Sequence, residues 1–397
     1  MTAEIGILNK NGVVLAADSA VTLSNGTNSK VFNSARKLFT LSSVHSVGIM
    51  IYGDASFMGV PWDVIISEYK SSIGNQVLAD ITEYVKSFIN FLLGFEPIQS
   101  SDALVNYIVR QTQKYLEIIH QNAQEIVDTR SSNGETISLE NFMKILWEFI
   151  DEYSKEIAQL VSEDDFEYLE GELDTIREVV NNYFKDVECT EEQLTLLSKT
   201  LYQAMRIGFD RNSVTGLVIA GFGDKEIFPS LCQIELSGAF ANRLVWEVVK
   251  QSEITQNKRC DIIPFAQSEM VNTIMNGIDP VLNAFIAQEL EIILKKHNIS
   301  EEKDKMFDTI AKVQELHYIN PIFELIAMQP IDEMASTAKT FIELTSFKRK
   351  IVNTLETVGG PVDVLAISKG DGPIWIERKH YFNIDNNINY RIRKGGI

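Results

Sequence analysis

The chain has 397 residues, enough for one large domain or two merged ones, and its 45% hydrophobic and 23% charged residues suit an ordinary globular protein. Acidic residues (55) outnumber basic ones (36), and a formal charge of −19 argues against binding phosphate backbones or anionic lipid surfaces, so neither nucleic acid nor membrane is an expected partner. Three scattered cysteines (Cys189, Cys232 and Cys260) and five scattered histidines point to free thiols in a reducing compartment and away from a metal site.

The chain opens as strand, Asn11-Gly12 turn and strand, and ends this hairpin on Asp18. Such a hairpin returns its far end to its start, so Asp18 is expected beside Thr2. Two more strands are predicted near Lys37–Leu41 and Val47–Tyr52, around a Ser42-Ser43 turn, with a loop over 24–29. From about Met58 to Arg211 the apolar period is helical, with one stripe from Leu104 to Ile126 and another from Leu139 to Ile157. Thr190-Glu191-Glu192-Gln193 has the form of a capping box. Strands return at Thr215–Gly223 and Glu226–Leu236. A second helical block is predicted from about Ala266 to Thr357, with Asp279-Pro280 as N-cap and first helical residue. Val362–Ser368, a Lys369-Gly370-Asp371-Gly372 turn and Pro373–Arg378 close the chain as a hairpin, followed by a polar tail. These blocks imply an α+β fold, a layered sheet sandwich with helices outside, and leave several arrangements open. No secretory signal and no membrane-length apolar run is apparent, so a cytoplasmic protein is expected.

Thr2 is the first candidate for chemistry. Removal of Met1 would leave its free α-amine beside its own hydroxyl, and a terminal amine can serve as base for a threonine nucleophile. An α-amine with a pKa of ~7.7–8.0 suits that work near neutrality. Taken singly, Thr2 reads as a second residue, Asp18 as a strand-end carboxylate, Lys37 as a surface lysine and Gly53 as a strand-to-helix turn. Their order and spacing are what set them apart.

Asn11-Gly12-Val13-Val14-Leu15-Ala16-Ala17-Asp18-Ser19-Ala20-Val21-Thr22, with Asp18 sixteen positions after Thr2, resembles the opening of the catalytic β-subunits of the proteasome and their simpler bacterial relatives. These belong to the N-terminal-nucleophile hydrolase superfamily. The resemblance implies a four-layer αββα sandwich and hydrolysis of peptide or other amide bonds through an acyl-enzyme, with no cofactor. It implies Thr2 as nucleophile and Asp18 as partner of a lysine at the start of the third strand. Lys37-Leu38 fits that lysine better than Lys30-Val31, because a strand follows it directly. It also implies an oxyanion-binding backbone N–H at Gly53, a substrate-backbone contact at Thr22, and pocket positions at Val21 and Ile51. An apolar pocket wall of this kind predicts cleavage after an apolar or small residue. Pro264-Phe265-Ala266-Gln267-Ser268-Glu269 resembles the segment that carries a serine near the nucleophile, which selects Ser268, although a helix N-cap is an equal reading.

One segment departs from the pattern. The family's Asp-x-x-Ser-Gly-Gly is represented by Leu355, Val358, Gly359 and Gly360, with apolar residues at the Asp and Ser positions. On this reading the sandwich comprises 2–60, 213–280 and the closing hairpin and tail 351–397, with a helical insertion over 61–212 and an extension over 281–350. A homo-oligomer, in ring form, and an ATP-dependent unfoldase partner are implied by the resemblance alone. Two other functions stay open: an inactive scaffold or partner-binding protein, and a small-molecule amidase.

Overall fold

Aliphatic and β-branched residues make the first part of the chain strand. It contains β1 (Ala3–Asn9), β2 (Gly12–Ala17), β3 (Val21–Ser24), β4 (Ser29–Phe32), β5 (Leu38–Thr40), β6 (Val47–Tyr52), β7 (Ser56–Phe57) and β8 (Val60–Pro61). A helical block follows: α1 (Trp62–Ile73), α2 (Ile81–Leu93), α3 (Glu96–Gln99), α4 (Ser101–Ser132), α5 (Leu139–Leu160), α6 (Glu170–Tyr183) and α7 (Glu191–Ile207). Strands resume with β9 (Thr215–Gly221), β10 (Ser230–Phe240), β11 (Arg243–Glu253) and β12 (Cys260–Ala266). The second helical block holds α8 (Glu269–Asn276), α9 (Pro280–Lys296), α10 (Lys303–Gln314), α11 (Asn320–Met328) and α12 (Ile331–Ile351). The chain closes with β13 (Asp363–Ser368), β14 (Gly372–Glu377) and the short α13 (Ile388–Arg393). This computed structural model describes every residue except 1, 25–28, 42–43, 133–137, 162–167, 210–213, 298–302, 353–357 and 394–397. The predicted Ser42-Ser43 turn and most of the predicted loop over 24–29 lie outside the described residues.

The protein is α+β with antiparallel sheets. One five-stranded sheet has the order β12-β1-β2-β13-β14 and the other β11-β10-β9-β6-β5. Side-chain alternation along the strands assigns each face. In β2, Val14 and Ala16 join Ala3, Ile5 and Ile7 of β1 against Met334, Ala338 and Phe341 of α12. The intervening Val13, Leu15 and Ala17 pack with Leu38, Met50, Val218 and Leu231 of the other sheet. The outer face of that second sheet, through Val47, Ile49 and Ile219, shares one continuous apolar cluster with α1, α2 and α4–α7. The large helical block is thus packed on the sheet and has no separate core. None of the described helices is long and apolar enough to cross a membrane.

Local signals account for several element ends. Thr190 and Gln193 form the reciprocal capping box at the start of α7. Asp279 Oδ1 accepts from the Val281 and Leu282 N–H groups at 2.9 and 3.3 Å, starting α9 at Pro280. Three of the later strands, β10, β11 and β12, differ from the sequence reading. β10 begins at Ser230 and continues to Phe240, and β11 follows it as a largely exposed edge strand with little alternation to betray it. β12 occupies residues read as the approach to a helix. Its Pro264 argues against a central strand but is tolerated at the sheet edge, opposite Ile5.

Candidate active site

The hairpin geometry brings the first two candidates together. Residues Glu4 to Asn9 pair with Gly12 to Ala17, and beyond the ladder the Asp18 N–H donates to the Ala3 carbonyl at 3.1 Å. Thr2 Oγ1 then lies 2.8 Å from Asp18 Oδ1. Lys37 immediately precedes β5, and its carbonyl accepts from the Ile51 N–H at 3.0 Å, which fixes the lysine against β6. Its ammonium donates to both Thr2 Oγ1 and Asp18 Oδ1, the latter at 2.5 Å. Thr2, Asp18 and Lys37 therefore meet at one point. The rival Lys30 is on β4, with its ammonium over the Phe32 ring at 5.0 Å.

Asp18 is the hub of this cluster. Its Oδ1 also accepts from the Ala3 N–H at 3.1 Å, and its Oδ2 accepts from Ala20 and Gly359 N–H at 3.2 and 3.0 Å. Side-chain exposure is 1% for Asp18 and 8% for Lys37, so this is a buried ion pair, and its stability depends on such added hydrogen bonds. The 359–361 segment is tied to the hairpin end as well: Ser19 N–H donates to the Gly359 carbonyl at 3.2 Å, and Ser19 Oγ donates to the Pro361 carbonyl.

A fourth polar residue is present that sequence reasoning missed. Glu4 is 1% exposed, and its Oε1 lies 3.1 Å from Thr2 Oγ1. Burial pushes its carboxyl up to about 8, opposed by the Lys37 charge and the Thr2 hydrogen bond and assisted by the Asp18 charge. The signal was available in the period of two, which sets residue 4 on the same strand face as residue 2.

Thr2 and Lys37 border a cavity of about 870 Å³, within the usual range for small-molecule sites. Val21, Ile51 and Gly53 line it too. Thr22 is placed on β3 opposite Val31, and its side chain is outside what the structure describes. Ser268 precedes α8, makes no capping hydrogen bond and is not among the cavity-lining residues. That segment reaches Thr2 through its neighbour Gln267, whose N–H donates to the Thr2 carbonyl at 3.1 Å. Val358 is buried in the apolar cluster beneath α12, and Leu355 lies outside the described residues. The polar tail has an unexpected place: His380, Tyr381, Phe382 and Tyr390 form part of the cavity wall. Phe382 packs against His380 and Tyr390 with ring centroids 5.2 and 4.9 Å apart.

Gly53 has φ +88°, and a Cβ there would stand 2.5 Å from the Val214 carbonyl oxygen. Both features exclude a side chain. Gly53→Ala is expected to destabilise the fold by about 1–3 kcal/mol, read from the midpoint of urea unfolding. Among the described residues, no group of His, Cys, Asp and Glu is placed to hold a metal ion.

No family model and no curated protein matches the chain. Among solved structures it is similar to an Anbu (Gly-1) mutant from Hyphomicrobium sp. strain MC1, at 9% identity and a TM-score of 0.30, over 100% of this chain and 96% of that one. It is also similar to Anbu (ancestral beta-subunit) from Yersinia bercovieri, at 10% identity and a TM-score of 0.28, over 99% and 94%. Scores this low carry no argument about fold. The proteasome β-subunit resemblance drawn from the opening residues is therefore corrected: the chain is not assigned to that family.

Proposed function

We propose that this protein hydrolyses amide bonds, with Thr2 as the nucleophile once Met1 has been removed. The observation that carries the reading is the convergence of Lys37 Nζ and Asp18 Oδ1 on Thr2 Oγ1 at the edge of a substrate-sized cavity. Thr2 Oγ attacks the carbonyl carbon, and its proton passes to the α-amine. The oxyanion is held by the Gly53 N–H. Collapse breaks the C–N bond as the ammonium protonates the leaving nitrogen, giving an acyl-enzyme. Water repeats the sequence at the ester, returning the proton to Oγ. Lys37 favours the neutral amine and stabilises charge on Oγ, while Asp18 keeps the ammonium oriented. No cofactor takes part.

Val21 and Ile51 shape the pocket for an apolar or small residue, Thr22 contacts the substrate backbone, and Ser268 assists near the nucleophile. The fold belongs to the same reading: an αββα sandwich over 2–60, 213–280 and 351–397, with a helical insertion over 61–212 and an extension over 281–350. A cytoplasmic peptide or protein substrate and a homo-oligomeric assembly go with it, the assembly checked by sedimentation velocity. The cavity volume of about 870 Å³ also suits a small amide, so substrate profiling decides between peptidase and amidase.

Intact mass of the native protein is expected to show loss of Met1. A β-lactone electrophile should then add one acyl group, mapped to Thr2 by peptide sequencing. Met1 retained on the bulk of the protein overturns the proposal, because the amine would no longer belong to Thr2.

A further inference from the structure

We propose that Glu4 stands as a neutral carboxylic acid that donates a hydrogen bond to the Thr2 hydroxyl oxygen, making it, beside Lys37, a second donor to the nucleophile. This rests on the reading of Thr2 as nucleophile and adds a residue to its machinery.

The hydrogens around Thr2 Oγ1 can be counted. A hydroxyl gives one hydrogen and accepts two. Three groups surround it: Asp18 Oδ1 at 2.8 Å, Lys37 Nζ, and Glu4 Oε1 at 3.1 Å. The ammonium can only donate. Asp18 is paired with that ammonium at 2.5 Å and takes three further backbone N–H bonds, so it is the ionised acceptor of the Thr2 hydrogen. Thr2 then has no second hydrogen for Glu4. Two bare oxygens at 3.1 Å repel, and a proton on Glu4 turns the contact into a hydrogen bond that fills the remaining lone pair.

The surroundings favour the same state. Glu4 Oε2 is buried without a hydrogen-bond partner among the described residues, which is costly for a carboxylate and less so for a neutral acid. Phe265 faces Glu4 across the ladder, and Tyr52 stacks on Phe265 at 6.2 Å. Among the described residues, the charged and titratable side chains near Glu4 are Lys37, Asp18 and Tyr52, with the Thr2 α-amine added once Met1 is removed; the Tyr52 hydroxyl gives its hydrogen to Glu235 at 3.1 Å. Burial and the Asp18 charge favour the neutral acid and prevail, holding the group near 8 even against the Lys37 charge and a hydrogen bond offered by Thr2.

The consequence for turnover is definite. Glu4 keeps its proton through the cycle, and its hydrogen bond stabilises charge on Oγ as that oxygen leaves the acyl-enzyme. Ionisation removes the donor and sets a negative charge beside the leaving oxygen, so the rate should fall as pH rises through about 8.

Two measurements on the Met1-processed full chain test this. In kcat against pH with a fluorogenic amide, the wild type should show that alkaline limb. Glu4→Gln should lower the plateau yet lose the limb, since its amide still donates and cannot ionise. Glu4→Ala should lower kcat roughly 10- to 100-fold across the range. A limb that persists unchanged in Glu4→Gln overturns the proposal. Independently of turnover, NMR of carboxyl-labelled glutamate should show one resonance titrating near pH 8 that Glu4→Gln lacks; if Glu4→Gln removes only a resonance titrating in the ordinary carboxylate range, the proposal also falls. If the resonance titrates as expected while no amide is turned over, the Glu4–Thr2 hydrogen bond stands and the hydrolase reading is what fails.

Discussion

Thr2→Ala is expected to abolish acyl-enzyme formation and lower turnover by a factor on the order of 10⁴ to 10⁶, the scale seen when a covalent nucleophile is lost. Neither of its two charged neighbours can replace it. Lys37 is a cation paired to Asp18, and the Asp18 carboxylate is held in place by that ammonium and three N–H groups. The fold should survive, because residue 2 precedes the β1 ladder and contributes one hydroxyl beside a cavity that water can enter. Thr2→Ser should restore part of the rate, since it keeps the hydroxyl. Single-turnover labelling, with circular dichroism as the control for folding, separates the two effects. Retention of more than a hundredth of wild-type activity in Thr2→Ala would place the nucleophile elsewhere.

Asp18→Ala should be the most damaging substitution for stability. It removes the acceptor for Thr2 Oγ1, Lys37 Nζ and the N–H groups of Ala3, Ala20 and Gly359 together. It also leaves the Lys37 ammonium buried without its counter-charge. Breaking a buried pair from one side costs about 3–5 kcal/mol, a large part of the ~5–15 kcal/mol that holds a domain folded. Asp18→Asn keeps the shape and one acceptor oxygen, so it should lose less stability while still losing activity. Urea unfolding of the three proteins gives the order wild type, Asn, Ala. Equal midpoints for wild type and Asp18→Ala would contradict the part assigned to Asp18.

What could be read from the sequence was local. An Asn-Gly turn between two short aliphatic runs fixes where the hairpin ends, and so puts Asp18 beside Thr2 before any tertiary contact is known. Lys37 was distinguishable from Lys30 because a strand follows it. The unread parts depend on contacts between distant segments. Glu4 shares a face with Thr2 by simple alternation, but its burial comes from the second sheet and from Phe265 of β12. The strand character of β12 was hidden by Pro264, whose tolerance depends on its place at a sheet edge. The tail, polar by composition, reaches the cavity through Tyr381, Phe382 and Tyr390, and nothing in its pattern encodes the surface it meets. A short run such as Asn11–Thr22 likewise suggests a chemistry from twelve residues without assigning the rest of the chain to a family.

The hydrogen bond from the Gly359 N–H to Asp18 Oδ2 joins residues 341 positions apart, and the cavity wall continues as far as Tyr390. Synthesis proceeds from the amino end at roughly 5–20 residues per second. The threonine therefore emerges from the ribosome early and must wait tens of seconds for the segment that secures its aspartate. On the proposed reading, the nucleophile stays idle in the nascent chain until the last tenth of the sequence has been made.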